Sequence, residues 1–391
     1  MQQSSKNRIW NIAKREMRQL SARPLYLFSM VFAPLFSALF FITLMDEGLP
    51  TELPIAVVDL DNSSTSRGLI RQLDAFGQTA VTLRTASFEE ARKEMQSGSI
   101  YGIYRIPKDF ATLAAQGKQP KLSFYTNNAY LIAGSLLFRD MKTISVLAGG
   151  SVGLQVGLAK GQNESQIMGQ LQPISIDTVT LGNPWLNYSV YLNNIIIPGI
   201  LQLMIFLVTV FSIGNEIKLG TSRDWLQQSG NSLLKALLGK LLPHTVIFTT
   251  VGLSITYILY GVSSFPLQSG WLPMVAAMVL LVLAAQAMGV FMIGVLPTLR
   301  LGLSFASLFG MVAFSITGFT FPVKAMYPPL QALSELFPLR HYFLIYVDQA
   351  LNGRALYYTW TEYVILASFM LLPLFIGRNL KRALLYFNYI P

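Results

Sequence analysis

The sequence predicts a polytopic α-helical membrane protein with six transmembrane helices and an inserted extracytoplasmic α/β domain. Its 391 residues are 52% hydrophobic and only 12% charged, whereas soluble domains carry about 25% charged residues. One apolar run of spanning length lies near the start, and five more follow a long polar stretch, residues 46–190. A chain of this layout crosses a bilayer several times and places a folded module on one side.

The distribution of charge predicts the orientation in the membrane. The net charge is +10, but residues 46–190 hold 12 basic and 13 acidic residues, so the basic excess lies elsewhere. Because basic loops stay in the cytoplasm, we expect a multi-pass membrane protein with both termini inside and residues 46–190 outside the cytoplasm. Charges that flank spans do not indicate a nucleic-acid partner. The basic residues in question are Lys6, Arg8, Lys14, Arg15, Arg18, Arg23, Lys218, Arg223, Lys235, Lys240, Arg300, Arg378, Lys381 and Arg382.

Residues 1–23 are predicted to form a cytoplasmic amphipathic helix that lies along the membrane surface. The alternative is a plain basic leader. The next apolar run, residues 24–45, is predicted to be the first transmembrane helix, because it is longer than a signal-peptide core and lacks a small-x-small cleavage site. The apolar residues of the amphipathic helix are Ile9, Trp10, Ile12, Ala13, Met17 and Leu20.

Residues 46–190 alternate between strand and helix patterns, which is typical of an α/β domain. Ser87 and Glu90 form a capping box at the start of one predicted helix. A last strand, residues 175–181, is predicted to lead back to the membrane. The other predicted strands are 53–58, 80–84, 100–106 and 121–125, and the predicted helices are 65–76, 87–97, 107–117 and 128–158.

The Asp59-x-Asp61 pair after the first strand has three interpretations. An aspartate-nucleophile phosphatase would need downstream Lys and acidic partners, for which the sequence offers no candidate set. An EF-hand loop would need Gly and Glu where the chain has Ser64 and Ile70. The third interpretation, a polar turn that caps a helix, is favoured.

The sequence offers no enzymatic motif of its own. It has no cysteine and two histidines, so a Cys/His zinc site is not expected. It also lacks a P-loop, the glycine-rich phosphate-binding loop of many ATPases. We therefore expect no catalytic residue, metal or cofactor in this chain.

Residues 191–382 are predicted to form a five-helix transmembrane region, followed by a cytoplasmic tail, residues 383–391. Charges within the apolar runs are nearly absent, which argues against an ion-coupled carrier and for energy supplied by another protein. Polar side chains in these runs are expected to hydrogen-bond between helices; they include Asn193, Asn194, Gln202 and Gln286. The predicted spans are 191–213, 241–261, 271–296, 301–321 and 360–376.

The cytoplasmic loop 214–240 is predicted to couple the spans to a cytosolic partner. An acidic residue, a Gly-Thr break and a short amphipathic helix follow one another, so the loop can act as an exposed lever; an ordinary solvated connector is the equal alternative. The candidate coupling residues are Glu216, Lys218, Gly220, Thr221, Arg223 and Asp224.

Residues 322–356 are predicted to re-enter the membrane from the outer face. Prolines divide the segment into apolar pieces that are too short to span. His341 is interpreted as an interfacial polar group. The candidate residues of an outer gate are Pro322, Met326, Pro338 and Arg340.

Seven features, taken in order and spacing, resemble the permease subunit of type-2 ABC exporters with a large extracytoplasmic domain after the first span. The family commonly has an acidic residue shortly after the Gly-Thr pair, whereas here Ser222-Arg223 precede Asp224. The features are Val58-Asp-Leu-Asp61-Asn-Ser63, residues 98–110 (GSIYGIYRIPKDF), Asn183-Pro184 through Pro198-Gly199, Glu216 with Gly220-Thr221, Gly239-Lys240, Phe321-Pro322 with Met326, and Phe337-Pro338-Leu-Arg340.

This resemblance implies a transport subunit that is not itself an enzyme. ATP would be used by a cytosolic ATPase partner, and a second permease, a copy or a paralogue, would complete the pore. The cargo would be hydrophobic or amphiphilic (a drug, a lipid-like molecule or a peptide) and would move outward. A periplasmic adaptor and an outer-membrane duct are further implied partners, and the resemblance thereby implies that the chain lies in the inner membrane with residues 46–190 in the periplasm. The alternative from another class is a non-transporting membrane receptor or scaffold whose external domain binds a ligand.

Overall fold

A computed structural model describes residues 5–174 and 176–386. The chain forms two compact units, one of Met1–Asp46 with Thr180–Pro391 and one of Glu47–Val179. The predicted end of the inserted domain, residue 190, lies inside the second spanning helix, whereas the compact unit ends at Val179. The helix begins earlier than its apolar run because the Asn187 side chain caps it by accepting a hydrogen bond from the Val190 amide.

Within the described residues, six helices of the first unit are long and apolar enough to cross a membrane, as predicted. An N-terminal helix, Ser5–Ala22, precedes them. The six spans, numbered first to sixth in chain order, are Pro24–Leu44, Tyr188–Lys218, Leu233–Val262, Trp271–Val295, Leu299–Ile316 and Leu356–Tyr386.

The sixth span is longer at both ends than the predicted range 360–376. A 3₁₀ turn, Phe369–Leu371, divides it, and the second half continues as an amphipathic helix to Tyr386. Leu380 and Leu384 are buried there while Arg378 is exposed, so the packing of one apolar face sustains the helix beyond its apolar run. The start of the predicted tail, 383–386, is therefore helical; residues 387–391 lie outside the described residues.

The second and fourth spans form the centre of this unit, and some of their polar side chains join neighbouring helices. Asn193 donates a hydrogen bond to the Phe41 carbonyl of the first span (3.3 Å). Gln286 accepts one from Thr245 of the third span (2.7 Å). Asn194, in contrast, bonds to the Val190 carbonyl within its own helix.

Short helical pieces connect the fifth and sixth spans, as the prolines predicted. They are the 3₁₀ turn Val323–Ala325, the helices Pro328–Ser334 and Pro338–Ile345, and the π-helical turn Tyr346–Leu351. Proline stands in the first turn of both α-helices, where its missing N–H costs no hydrogen bond.

The second unit is an α/β domain. Its described residues form a four-stranded sheet in the order β2-β1-β3-β4, in which β4 is antiparallel and the other neighbours are parallel. The strands are β1 (Leu53–Asp59), β2 (Thr79–Thr85), β3 (Gly102–Ile106) and β4 (Ser123–Thr126). The helices are Ser64–Asp74, Phe88–Ser97, Phe110–Ala115, Leu131–Ala159 and Glu164–Leu171.

Side chains of β1 alternate between two apolar cores, one on each face of the sheet. Ile55 and Val57 pack in a core with the long helix Leu131–Ala159, and Ala56 and Val58 pack in a second core with the helix Phe88–Ser97. The Gly149-Gly150 pair does not break the long helix.

The predicted strand 175–181 is absent from residues 176–181, and residue 175 lies outside the described residues. Ile176, Val179 and Leu181 are each at least 75% exposed. An alternating apolar pattern forms a strand only where the backbone can pair with a sheet edge and the side chains can pack on a core. The exposed side chains of residues 176–181 do neither.

The Asp59 turn is a capping structure, as favoured above. Asp59 accepts hydrogen bonds from the amides of Asp61 and Asn62 and from the Ser66 hydroxyl. Ser63 caps the following helix by accepting from the Ser66 amide. These bonds use the Asp59 carboxylate to hold the turn.

Candidate functional site

Three helices of the membrane unit bring ionisable side chains into one buried cluster. Glu16 comes from the N-terminal helix, Glu216 from the last turn of the second span, and Lys240 and His244 from the first half of the third span. Each of the four is at most 3% exposed. We call these four residues, with Arg15, the charge cluster.

Lys240 lies at the centre of the charge cluster and joins the two carboxylates. Its Nζ donates to Glu16 Oε2 at 2.7 Å and to Glu216 Oε1 at 3.0 Å. Since the two carboxylates belong to different helices, one ammonium group connects the N-terminal helix, the second span and the third span.

The second oxygen of Glu16 is also occupied. Glu16 Oε1 accepts from Ser212 Oγ (3.0 Å) and from His244 Nε2 (2.9 Å). Because the carboxylate only accepts, Nε2 of His244 donates this hydrogen bond; Nδ1 has no partner within the described residues. Burial alone would raise the pKa of Glu16, but the hydrogen bonds and charges of His244 and Lys240 lower it to about 2.

The second oxygen of Glu216 faces the edge of the charge cluster. It accepts from Arg15 at 2.9 Å and from the Thr221 hydroxyl. Arg15 is 25% exposed, so it closes the cluster on the solvent side. Two carboxylates thus face two cations, and this balance is what allows ions to be buried.

Local backbone geometry places the Thr221 hydroxyl within hydrogen-bonding distance of the Glu216 carboxylate. Gly220 has φ +68°, and the amides of Gly220 and Thr221 bond back to the carbonyls of Ile217 and Glu216. This is a Schellman-type end of the second span, in which glycine takes the left-handed conformation without a Cβ clash. The Gly-Thr break is therefore a helix stop that returns the chain to the charge cluster.

The connector helix, Ser222–Gln228, is bonded to the sixth span at its first turn. Ser222 Oγ and Arg223 Nε donate to the carbonyls of Leu384 and Leu385 at the end of the sixth span, both at 2.7 Å. Trp225 is fully buried, and Lys240 Nζ lies 5.2 Å from its ring centroid, within cation–π range. The connector helix is thus bonded to the sixth span and packed on the charge cluster.

The predicted coupling residues divide into two groups. Lys218, Gly220, Arg223 and Asp224 are exposed, as a contact surface requires. Glu216 is only 3% exposed, so the prediction of an exposed carboxylate on a lever is wrong for this residue. It lies in the last turn of the second span on the side that faces Lys240, where pairing compensates its burial.

Sequence reasoning missed the importance of Arg15, Glu16, Lys240 and His244. Arg15 was counted only as a basic residue that flanks a span, and Lys240 only as such a residue and as part of the Gly239-Lys240 feature of the resemblance. Two signals were present: Glu16 is the one acidic residue in the basic stretch 1–23, and Lys240 and His244 are four positions apart, which puts them on one helix face.

The outer candidate gate contains a second set of polar contacts. Arg340 pairs with Glu335 at 2.9 Å and reaches the Thr317 carbonyl at 3.4 Å. His341 is fully buried and lies 2.8 Å from the Glu362 carboxylate of the sixth span and 3.0 Å from the Glu335 carbonyl. Pro338 opens the helix that carries both. His341 therefore holds this helix to the sixth span.

The remaining predicted gate residues lie around the 3₁₀ turn Val323–Ala325. Pro322 precedes the turn and is exposed, and the Met326 carbonyl after it accepts a hydrogen bond from Gln331 at 2.8 Å. Throughout residues 5–174 and 176–386, no three His, Asp or Glu side chains form a group that could hold a metal ion.

Six spans, an inserted α/β unit and a buried charge cluster at one end of the spans define a multi-pass transport protein. A family model described as "ABC-2 family transporter protein" matches residues 24–377, and the chain belongs to that family. It is similar to the "Probable multidrug ABC transporter permease YbhR" of Escherichia coli (strain K12), with 21% identity over 362 residues, 91% of this chain and 93% of the relative. The protein of that name from Escherichia coli O157:H7 matches with the same values. No solved structure matches.

Membership of this family sets the role of the chain. It is a permease subunit of an ABC exporter, ATP hydrolysis lies in a separate subunit, and a second permease subunit belongs to the assembly. The receptor or scaffold alternative is thereby overturned.

Proposed function

We propose that this chain moves a hydrophobic or amphiphilic substrate outward across the inner membrane, driven by ATP hydrolysis in a cytosolic partner. In this account both termini and loop 214–240 are cytoplasmic, and the α/β unit is periplasmic. The single observation that carries the proposal is the charge cluster, because it links the predicted ATPase-contacting loop to three helices of the membrane unit.

The first step of coupling is contact with the ATPase. Lys218 and Asp224 present opposite charges on either side of the Gly220 turn, and both are exposed. Charges at the rim of an interface guide association and orientation more than they add affinity. These side chains are the proposed contact surface.

The second step is transmission through the charge cluster. Removing one partner of a buried ion pair costs about 3–5 kcal/mol. When the ATPase displaces the connector helix, the residues of the charge cluster therefore move together and their ion pairs stay intact. The displacement then reaches the second span through Glu216 and the third span through Lys240. The N-terminal helix follows through Glu16.

The proposed substrate class has two supports. The first span exposes a ladder of stacked aromatic rings, Phe28, Phe32, Phe36 and Phe40, with neighbouring centroids 5.5–6.2 Å apart. Such a face suits apolar molecules rather than ions. The relatives named above carry "multidrug" in their names, and a drug, a lipid-like molecule or a peptide is the corresponding cargo here.

The second permease in the proposed assembly is a copy of this chain or a paralogue. The α/β unit has its own two-sided core, so it is able to present a stable surface to a periplasmic adaptor. An outer-membrane duct would then receive the substrate. These partners are proposed from the resemblance to exporters of this layout.

Charge reversal at Asp224 tests the coupling surface. With the ATPase subunit in reconstituted vesicles, Asp224→Lys should weaken partner binding about fivefold, equivalent to about 1 kcal/mol for an exposed charge contact. ATPase stimulation and export of an amphiphilic fluorescent dye should fall together, while the chain alone hydrolyses no ATP.

Lys142→Glu, an exposed charge reversal in the α/β unit, serves as the matched control and should leave stimulation and export intact. Full stimulation and dye export by Asp224→Lys at normal abundance would contradict the coupling surface.

A further inference from the structure

The N-terminal helix divides its apolar residues between two directions. Ile12, Ala13 and Leu20 are buried, and the helix packs on the third span. Trp10 and Met17 are 67% and 46% exposed. At 100° per residue, these two side chains lie together beside the packed face, so the helix has an uncovered apolar side.

This uncovered side forms one wall of an open groove. The third span forms the other wall, and the groove encloses about 510 Å³. Val246 of the third span is 58% exposed there, and Leu242 is 43% exposed. The lining residues are Trp10, Ala13, Lys14, Met17, Leu242, Pro243 and Val246.

The rim of the groove is basic. Among the described residues, Lys14 is the one charged side chain that lines it, and no acidic side chain does. Arg18 follows one helical turn after Lys14 on the same side, and both are exposed. An apolar channel with a cationic rim is complementary to a molecule that has a hydrocarbon chain and an anionic head.

The position of the groove selects a lipid as that molecule. It lies where the N-terminal helix meets the first half of a spanning helix, and Trp10 at its edge is typical of the headgroup region of a bilayer. We propose that the groove binds one anionic phospholipid, with an acyl chain against Met17, Leu242 and Val246 and the phosphate at Lys14 and Arg18. This proposal does not depend on the ATPase partner.

Native mass spectrometry of the purified full-length chain tests the proposal with two defined lipids. After delipidation, the protein is titrated with phosphatidylglycerol or phosphatidylcholine. We expect one high-affinity adduct with phosphatidylglycerol. Because each basic side chain near a headgroup contributes on the order of 1 kcal/mol, the double variant Lys14→Gln/Arg18→Gln should weaken that adduct about thirtyfold and abolish the preference over phosphatidylcholine.

A second variant separates the groove from the charge. Val246→Trp fills the groove from an exposed position, so it should remove the adduct of both lipids while the unfolding temperature stays unchanged. Lys142→Gln, an exposed lysine of the α/β unit, should behave as the unmodified protein. The proposal is overturned if the double variant retains its phosphatidylglycerol preference, if Val246→Trp retains the adduct, or if inorganic phosphate alone competes the lipid away.

Discussion

Lys240 is the residue on which the charge cluster depends. Its single ammonium group pairs with both Glu16 and Glu216, which come from different helices, and all three side chains are nearly fully buried. Buried ions are tolerated when they are paired and hydrogen-bonded, and an ion left alone in such a place is strongly destabilising. Substitutions that unpair a residue of the charge cluster are therefore expected to destabilise the protein strongly.

Lys240→Met should lower the free energy of unfolding by about 3–5 kcal/mol, because it leaves two carboxylates facing each other without the cation. The measurement is thermal unfolding in detergent. Lys235→Met, a partly exposed lysine of the same helix, is the matched control and should change little. Adding Glu216→Gln to Lys240→Met should restore part of the loss; no restoration would argue against the ion pair as the cause.

Glu16 should make the membrane unit sensitive to acid. Its pKa is lowered in the folded state from an ordinary 4.5 to about 2, so the unfolded state binds more protons between these values. The stabilisation is therefore complete above about pH 4.5 and is lost as the pH falls towards 2. Unfolding temperatures measured between pH 7 and pH 3 should drop at the acid end.

Glu16→Gln gives the control for this pH dependence. The amide cannot titrate, so the variant should be less stable than the original at pH 7 and should lose less on acidification. An identical pH profile in both proteins would show that Glu16 does not carry the effect.

At the scale of elements, the N-terminal helix is a packed part of the membrane unit. The third span approaches this helix closely at Gly239. A Cβ placed there would lie 2.8 Å from Ile12 Cβ and 2.9 Å from the Ile9 carbonyl oxygen. A backbone atom cannot rotate away as the end of a side chain can, so the helix must move if Gly239 gains a side chain.

Gly239→Ala should therefore loosen the N-terminal helix and expose its basic residues to protease. Limited trypsin digestion should cut after Lys14, Arg15 or Arg18 several-fold faster than in the original protein. Gly377→Ala is the matched control, because a Cβ there meets only ordinary contact with Leu233 at 3.7 Å. Equal cleavage rates for both variants would contradict the tight packing at Gly239.

The sequence predicted the elements better than their contacts, for a physical reason. The number of spans and the presence of the inserted unit depend on local hydropathy and composition. The sequence therefore predicted six spans and an α/β domain correctly. The environment of Glu216 depends on Lys240 and on Arg15, and Arg15 is 201 positions away. Periodicity carries no information on such pairing, and Glu216 was therefore placed at the surface.

The strand prediction for 175–181 failed for a related reason. Alternating apolar residues are a local pattern, whereas a strand needs a partner edge. At Asn187, in contrast, a local interaction was overlooked. The hydrogen bond that its side chain accepts from Val190 starts the second span before the apolar run begins, and a prediction from hydropathy alone does not include such capping.

The proposed coupling requires one orientation of the whole molecule in the membrane. If the separate ATPase subunit is cytosolic, as proposed, the charge cluster and the connector helix face the cytoplasm. The basic excess outside residues 46–190 predicts this arrangement. With the opposite orientation, the ATPase could not reach the loop at all.

Labelling of single cysteines tests this orientation most directly. The chain has no native cysteine, and Gln116 of the α/β unit and Gln228 of the connector helix are both exposed. In intact spheroplasts, an impermeant thiol reagent should label Gln116→Cys and spare Gln228→Cys, and both should react after permeabilisation. Labelling of Gln228→Cys with protection of Gln116→Cys in intact cells would contradict the orientation and, with it, the proposed coupling to a cytosolic ATPase.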